Sequence, residues 1–121
     1  MPKISREFSD WFEIPNDTYN GRVKIRLPKS GEQEQIKERC RELSLAGGVP
    51  AVRLIGSRVA LATAAIMDWE NFFDADDNPL KCTPANVQIM CNEDGFLEFV
   101  DECMAELESR KEELEKAALK N

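Results

Sequence analysis

Histidine is absent from this 121-residue sequence, and its absence removes the usual catalytic and metal-binding arrangements. No Ser–His or Cys–His pair can form, so nucleophilic catalysis lacks its ordinary base. The cysteines contain no C-x-x-C pair, and a zinc site would need all four gathered from scattered positions. A glycine-rich phosphate loop is also missing, because Gly47-Gly48 is not followed by Lys-Ser/Thr. We therefore expect no enzymatic activity, no metal and no cofactor.

Long apolar runs and a basic surplus are missing as well. No stretch of eighteen apolar residues is present, so we expect no membrane span, and the N-terminus lacks the pattern of a signal peptide. The expected location is the reducing cytoplasm, with the thiols free. The formal net charge of -7 disfavours nucleic acid as a partner, because phosphate binding needs basic surface.

What the chain does contain is typical of one small globular domain over residues 1–121. Its apolar fraction is 42% and its charged fraction 32%. The acidity is concentrated at one end: Glu93–Asn121 holds ten acids and four bases, a balance of -6. Residues 1–92 hold thirteen acids and twelve bases, a balance of -1. A solvated helix face explains this most simply, and a surface for a basic partner is the alternative.

The local patterns predict an α+β fold. Strict alternation over Arg22–Leu27 is typical of a strand, and with Phe8–Ile14 before it we expect a β-hairpin over residues 8–27. Helices are predicted over 30–45, where Ser30 and Gln33 form a capping-box pattern, and over 51–72, the most apolar stretch. Further helices are predicted over 84–91 and 95–119. The expected architecture is an N-terminal β-hairpin packed on three to four helices, the last long and amphipathic.

Two features invite a functional interpretation. Asp74, Asp76 and Asn78 have the spacing of a calcium loop, but Pro79 and Ala85 stand where glycine and glutamate are required, so a solvated turn is favoured. Apolar side chains that a small core does not use could anchor an interface, although the core is the commoner role for each one. The candidate interaction residues are Trp69, Phe72, Phe96, Val100, Leu107 and Leu114. Trp69 and Phe72 should share a helix face, with Trp69 against the Pro79-Leu80 turn or the last helix.

One stretch resembles a known family. It reads apolar-x-Asp-Trp-Glu-x-x-x-Asp-x-Asp-x-x-Pro-Leu-x-x-Thr-Pro-x-Asn-Val, carried by Ile66, Asp68, Trp69, Glu70, Asp74, Asp76, Pro79, Leu80, Thr83, Pro84, Asn86 and Val87. This pattern resembles that of small tail-assembly proteins of long-tailed bacteriophages and prophages. The N-terminal Trp-Phe-Glu-Ile-Pro-Asn-Asp is similar to the start of such proteins. The loop departs from the family pattern, which more often has glycine where this chain has Asp77 or Asn78.

The resemblance implies a non-enzymatic tail assembly chaperone that binds the helix-rich tape-measure protein and helps tail-tube subunits polymerise around it. Two alternatives remain open. One is a structural tail component, such as a completion or connector protein. The other is an acidic regulator that binds a basic host factor. The sequence leaves self-association open.

Overall fold

A computed structural model describes residues 8–47 and 50–119, and within them the chain is α+β. The strands are β1 (Phe8–Glu13), β2 (Arg22–Leu27) and β3 (Ile66–Glu70). The helices are α1 (Ser30–Gly47), α2 (Pro50–Ala65), α3 (Pro84–Met90) and α4 (Phe96–Leu119). The predicted hairpin and long last helix are confirmed. Helix α1 extends past the predicted end at residue 45 to Gly47, and Gly48 lies outside the described residues.

Strand β2 is the centre of a three-stranded antiparallel sheet of order β1-β2-β3. Its alternating sequence places Val23, Ile25 and Leu27 on the face that the helices cover, and all three are buried. Phe8 and Phe12 of β1 pair with Leu27 and Val23, so their side chains extend the same apolar face. Burial of this face stabilises a hairpin that would be marginal by itself.

The prediction of a helix over 51–72 is wrong beyond Ala65. Helix α2 ends at Ala65, and Ile66–Glu70 forms β3, which pairs with β2 across a register irregularity at Lys24/Ile25. Ile66 and Trp69 of β3 are buried while Met67 is exposed. Backbone pairing with a distant strand therefore overrides the local apolar pattern, which looks like the continuation of an alanine-rich helix.

Helix α4 lies against β1 and β2 through one stripe of side chains. Phe96, Val100, Cys103 and Leu107 recur every three or four residues and are buried, as expected for an amphipathic helix. After Leu107 the stripe ends, and residues 111–118 are all exposed. Few apolar side chains therefore anchor the far end of this helix to the body of the protein.

The core lies between the sheet and the helices α2, α3 and α4. Ala62 and Ala65 of α2 and Val87 of α3 join the buried residues of β2 and α4 in one cluster. The side chain of Gln33 donates to the Pro28 carbonyl, so it serves the turn before α1 rather than the predicted capping box. Within the described ranges, no helix is both long and apolar enough to cross a bilayer.

Candidate interaction site

The structure places the six predicted interaction residues unequally. Five of them belong to the core: Trp69, Phe72, Phe96, Val100 and Leu107. Val100 and Leu107 are 0% and 1% exposed, so neither side chain can contact a partner while the protein is folded. Leu114 differs, because its side chain is 60% exposed on the last turns of α4. Core packing, the commoner role for single apolar residues, therefore accounts for most of this set.

Trp69 and Phe72 meet, but through a bend of the chain rather than on a helix face. Asn71 has φ 60°, a conformation that asparagine tolerates better than most residues, and it turns the chain just after β3. The Trp69 and Phe72 rings then stack with centroids 4.4 Å apart and an interplanar angle of 6°. The expected contact of Trp69 with the Pro79-Leu80 turn is confirmed, because its Nε1–H donates to the Leu80 carbonyl at 2.7 Å.

The acidic loop, Asp74–Asn78, is a turn held by its own first side chain. Asp74 Oδ1 accepts from the backbone N–H groups of Asp76 and Asn78, at 2.9 and 3.0 Å. The Asp74 N–H donates to the Asn78 carbonyl at 2.9 Å, which closes the turn. Asp77 has φ 61°, in the left-handed region that favours glycine. The described residues contain no group of three or more side chains that could hold a metal ion.

Thr83 is the N-cap of α3. Its hydroxyl oxygen accepts from the Asn86 N–H at 3.2 Å, and Pro84 occupies the first turn, where its missing N–H costs nothing. The Asn86 side chain donates back to the Lys81 carbonyl at 2.8 Å. Residues 69–87 therefore form one joint, defined by the Trp69–Leu80 bond, the acidic loop and the Thr83 cap. It connects the end of the sheet to α3.

A groove lies beside this joint, with a volume of about 540 Å³. Its floor is aromatic and apolar, formed by Phe72, Phe73, Met90, Phe96 and Phe99. One wall is the turn that follows β1, where Tyr19 is 54% exposed and its ring centroid is 5.0 Å from that of Phe73. The groove is therefore assembled from the β1–β2 turn, the acidic loop, the end of α3 and the first two turns of α4.

The charge of the groove has one sign. Seven carboxylates line it: Asp17, Asp74, Asp77, Glu93, Asp94, Glu98 and Glu102. No Lys or Arg is among its described lining residues. Four carboxylates have intramolecular partners: Asp17 and Asp74 accept from backbone N–H groups, Asp77 from the Tyr19 hydroxyl, and Glu98 lies 3.9 Å from Arg58.

The remaining three groove carboxylates are Glu93, Asp94 and Glu102. All are exposed, and none makes a side-chain hydrogen bond or ion pair with a residue that the structure describes. The groove therefore carries a net negative charge that its described lining residues do not neutralise.

Two arginines on the basic face of β2, Arg22 and Arg26, have partners within the chain. Arg22 lies over the Trp11 ring, 4.7 Å from its centroid, and 3.7 Å from a Glu70 oxygen. Arg26 pairs with Glu32 and donates from Nε to the Ala64 carbonyl at 2.8 Å. A charged sheet face supported by internal pairs is therefore the simpler role for these cations.

Three of the thiols, those of Cys82, Cys91 and Cys103, are poor nucleophiles. Burial, with a smaller contribution from Asp68, raises the pKa of Cys82 to about 11. Burial and then Glu102 raise the pKa of Cys103 to about 12, and burial also raises the pKa of Cys91. These thiols are protonated at neutral pH, whereas the thiolate is the reactive form. The buried Cys91 and Cys103 act as small apolar core residues.

Comparison with known proteins finds no matching protein-family model, no matching curated protein and no matching solved structure. Function must therefore be argued from the residues and geometry of this chain.

The groove is the feature that sequence reasoning missed. Its walls come from three segments that are far apart in sequence, so no local spacing brings them together. The one local signal is the joint occurrence of aromatic and acidic residues in Asn71–Asp77 and again in Glu93–Glu102. Each alone is equally typical of an ordinary turn or an amphipathic helix.

Proposed function

We propose that this chain is a non-enzymatic tail morphogenesis protein of a long-tailed phage or prophage. It acts as a tail assembly chaperone in the host bacterial cytoplasm. In this role it binds the tape-measure protein and tail-tube subunits through protein–protein contacts alone. It keeps the apolar stripes of the tape-measure chain covered until the tube polymerises.

The turn of the acidic loop carries this proposal. The family pattern more often has glycine where this chain has Asp77 or Asn78, and Asp77 adopts φ 61°, which glycine accepts most readily. The apparent departure from the pattern is thus a residue replaced at a position with the same backbone requirement. Aspartate is among the few other residues that tolerate it.

The other residues of the resemblance have complementary roles in the joint. Trp69 donates a hydrogen bond to the Leu80 carbonyl, Asp74 accepts the hydrogen bonds that close the loop, and Thr83 caps α3. A pattern whose members support one local structure is a stronger family signature than the same residues scattered over the chain. The joint connects the sheet to α3, and the acidic α4 that follows offers an exposed surface to another helical chain.

Co-expression with tail proteins tests the proposal. The chain would be produced with the tape-measure protein encoded in the same phage or prophage genome, and in parallel with the tube protein. We expect a co-purifying complex and less aggregation of the tape-measure protein than when it is expressed alone. If the chain bound neither the tape-measure protein nor the tube protein, the proposal would be overturned.

Analysis of purified virions separates the alternatives. A chaperone should be absent from them or present in trace amounts. A stoichiometric band would instead assign a structural tail component. Salt-sensitive binding to a basic host protein, with no tail-protein binding, would assign the regulator.

A further inference from the structure

We infer that the groove between the β1–β2 turn and α4 receives a basic amphipathic helix of a partner protein. The partner's apolar side chains lie on the aromatic floor, and its lysines or arginines lie among the groove carboxylates. The inference rests on the proposed function only in assuming that the protein acts by binding another polypeptide. It adds where the partner binds and what charge the partner carries.

The floor offers aromatic surface that the protein leaves partly open. Phe73 and Phe99 are half-buried, and exposed Tyr19 stands beside them. Buried Phe96 packs against two of these rings. Its ring centroid is 6.1 Å from that of Phe72, in an edge-on arrangement, and 6.5 Å from that of Phe99, in a tilted one. Rigid aromatic side chains in a concave site give large contact area at low entropic cost, as anchoring positions at interfaces do.

The carboxylates specify the sign of the charge that the partner must carry. Seven of them line the groove with no lining cation among the described residues, so an anionic surface, whether nucleic acid or lipid headgroup, is repelled. A cationic partner neutralises Glu93, Asp94 and Glu102, which lack internal partners within the described chain. Charge complementarity of this kind gives specificity and speeds association.

The spacing of the carboxylates favours a helix. Glu98 and Glu102 are four residues apart on α4, which places them about 6 Å apart along the helix axis. Cations four residues apart on a partner helix have the same spacing. A partner helix lying along α4 can therefore meet both carboxylates while its apolar stripe faces Phe99, which lines the same groove beside them.

Fluorescence anisotropy with a defined peptide tests the inference. The probe is a fluorescein-labelled amphipathic peptide of about 18 residues, about five helical turns, with Leu and Phe on one face and Lys on the other. Its control has Glu at every Lys position. We expect saturable binding of the Lys peptide that weakens as salt is raised, and no binding of the Glu peptide. Equal binding of both peptides would overturn the inference.

Two matched variants separate the groove from general acidity. Glu93→Gln/Asp94→Asn/Glu102→Gln removes three charges from the groove. Glu108→Gln/Glu112→Gln/Glu115→Gln removes three from the exposed end of α4. We expect about a tenfold loss of peptide affinity for the groove variant and less than about a twofold loss for the control. Similar losses in both variants would show binding to diffuse acidity and overturn the inference.

A second pair tests the aromatic floor. Tyr19→Ala removes an exposed ring at the groove wall, whereas Ile89→Ala removes a side chain that is 59% exposed and outside the groove. Only Tyr19→Ala should weaken peptide binding, by about threefold to tenfold. Equal effects of the two changes would count against the groove.

NMR keeps the test decisive if a variant fails to fold. In the wild-type chain, amide shifts caused by the Lys peptide should cluster at residues 14–19, 71–77 and 93–102. Shifts confined to the exposed end of α4, or a peptide that merely promotes dimers of this chain, would overturn the inference. If the groove variant still binds the tape-measure protein as the wild type does, the proposed function stands and the inference about the groove is overturned. Peptide binding at the groove without tape-measure binding supports the groove as a binding site and overturns the proposed function.

Discussion

At the scale of single residues, the joint depends on groups with two roles. Trp69 supplies apolar area to the core and one hydrogen bond to the Leu80 carbonyl. Asn71 supplies a positive φ, and its side chain donates to the Asn20 carbonyl at 3.1 Å, which links β3 to the β1–β2 turn. Replacing either residue therefore alters both local geometry and a contact between distant segments.

Trp69→Phe should lower the free energy of unfolding by about 1 to 3 kcal/mol, because the Leu80 carbonyl loses its donor while part of the ring stacking is kept. Trp69→Ala should cost more, about 3 to 5 kcal/mol, through the cavity that it leaves. Urea unfolding measures both. Trp11→Phe is the control, since Trp11 lies half-buried on the other sheet face and its loss should cost less than about 1 kcal/mol.

Partner binding should follow the stability of the Trp69 variants rather than change independently. At a temperature where Trp69→Phe is fully folded, its affinity for the proposed tape-measure partner should match that of the wild type. A large loss of affinity in the folded variant would give Trp69 a direct binding role, which its burial argues against.

At the scale of elements, the sequence predicts α3 and α4 well but misplaces the end of α2 and misses the third strand, for different physical reasons. Helices α3 and α4 have local signals, the Thr83-Pro84 start and a stripe with helical spacing, and local signals are visible in a sequence. Strand β3 has none: Ile66 follows Ala65 directly, with no glycine or proline between helix and strand. Its identity depends on pairing with β2, which is distant in sequence. The groove was missed for the same reason.

Thr83→Ala should destabilise the protein by about 1 kcal/mol, because the Asn86 N–H loses its acceptor at the start of α3. Thr83→Ser keeps a hydroxyl there and should cost less. Thermal or chemical unfolding of the pair measures the difference. Equal losses would assign the effect to the Thr83 methyl group rather than to the cap.

Helix α4 should consist of a stabilising part and a dispensable part. Removing residues 111–121 deletes no buried described side chain and keeps the Arg110–Asp10 ion pair, so the midpoint of thermal unfolding should fall only slightly. Leu107→Ala should instead cost about 2 to 5 kcal/mol, because Leu107 is 1% exposed. Circular dichroism melting compares them. A collapse of stability on truncation would contradict this division.

At the scale of the whole molecule, ion pairs connect the helices to the sheet and to one another. Arg110 of α4 pairs with Asp10 of β1 at 2.7 Å, Arg58 of α2 with Asp101 of α4 at 2.8 Å, and Arg26 of β2 with Glu32 of α1. Most are exposed, so each adds little by itself. Together they bias how the helices sit on the sheet and make stability depend on pH.

Stability should fall in acid partly through Asp10 and Glu32. Hydrogen bonds from Arg110 and Arg26 hold the pKa values of Asp10 and Glu32 below their usual values of 3.8 and 4.5. A lowered folded-state pKa means that the stabilisation is present above the usual value and is lost as pH falls through the lowered one.

Asp10→Asn/Glu32→Gln should therefore be less stable than the wild type at pH 7, and the difference should shrink below about pH 4. Urea unfolding across pH measures it. Glu108→Gln/Glu115→Gln, which removes the same charge without breaking an ion pair within the described chain, is the control. A difference that stays constant down to low pH would contradict the assignment.

The order of the sheet also dictates how the chain can reach this fold. Strand β2 can pair with β1 across a short turn, but its pairing with β3 must close a loop of about 40 residues that contains α1 and α2. Until that loop closes, the central strand has one unpaired edge, and such edges template contacts between chains. We therefore expect the pairing of β3 with β2 to be the slow step of folding. Because α2 runs directly into β3, packing of that helix on the core brings β3 next to β2.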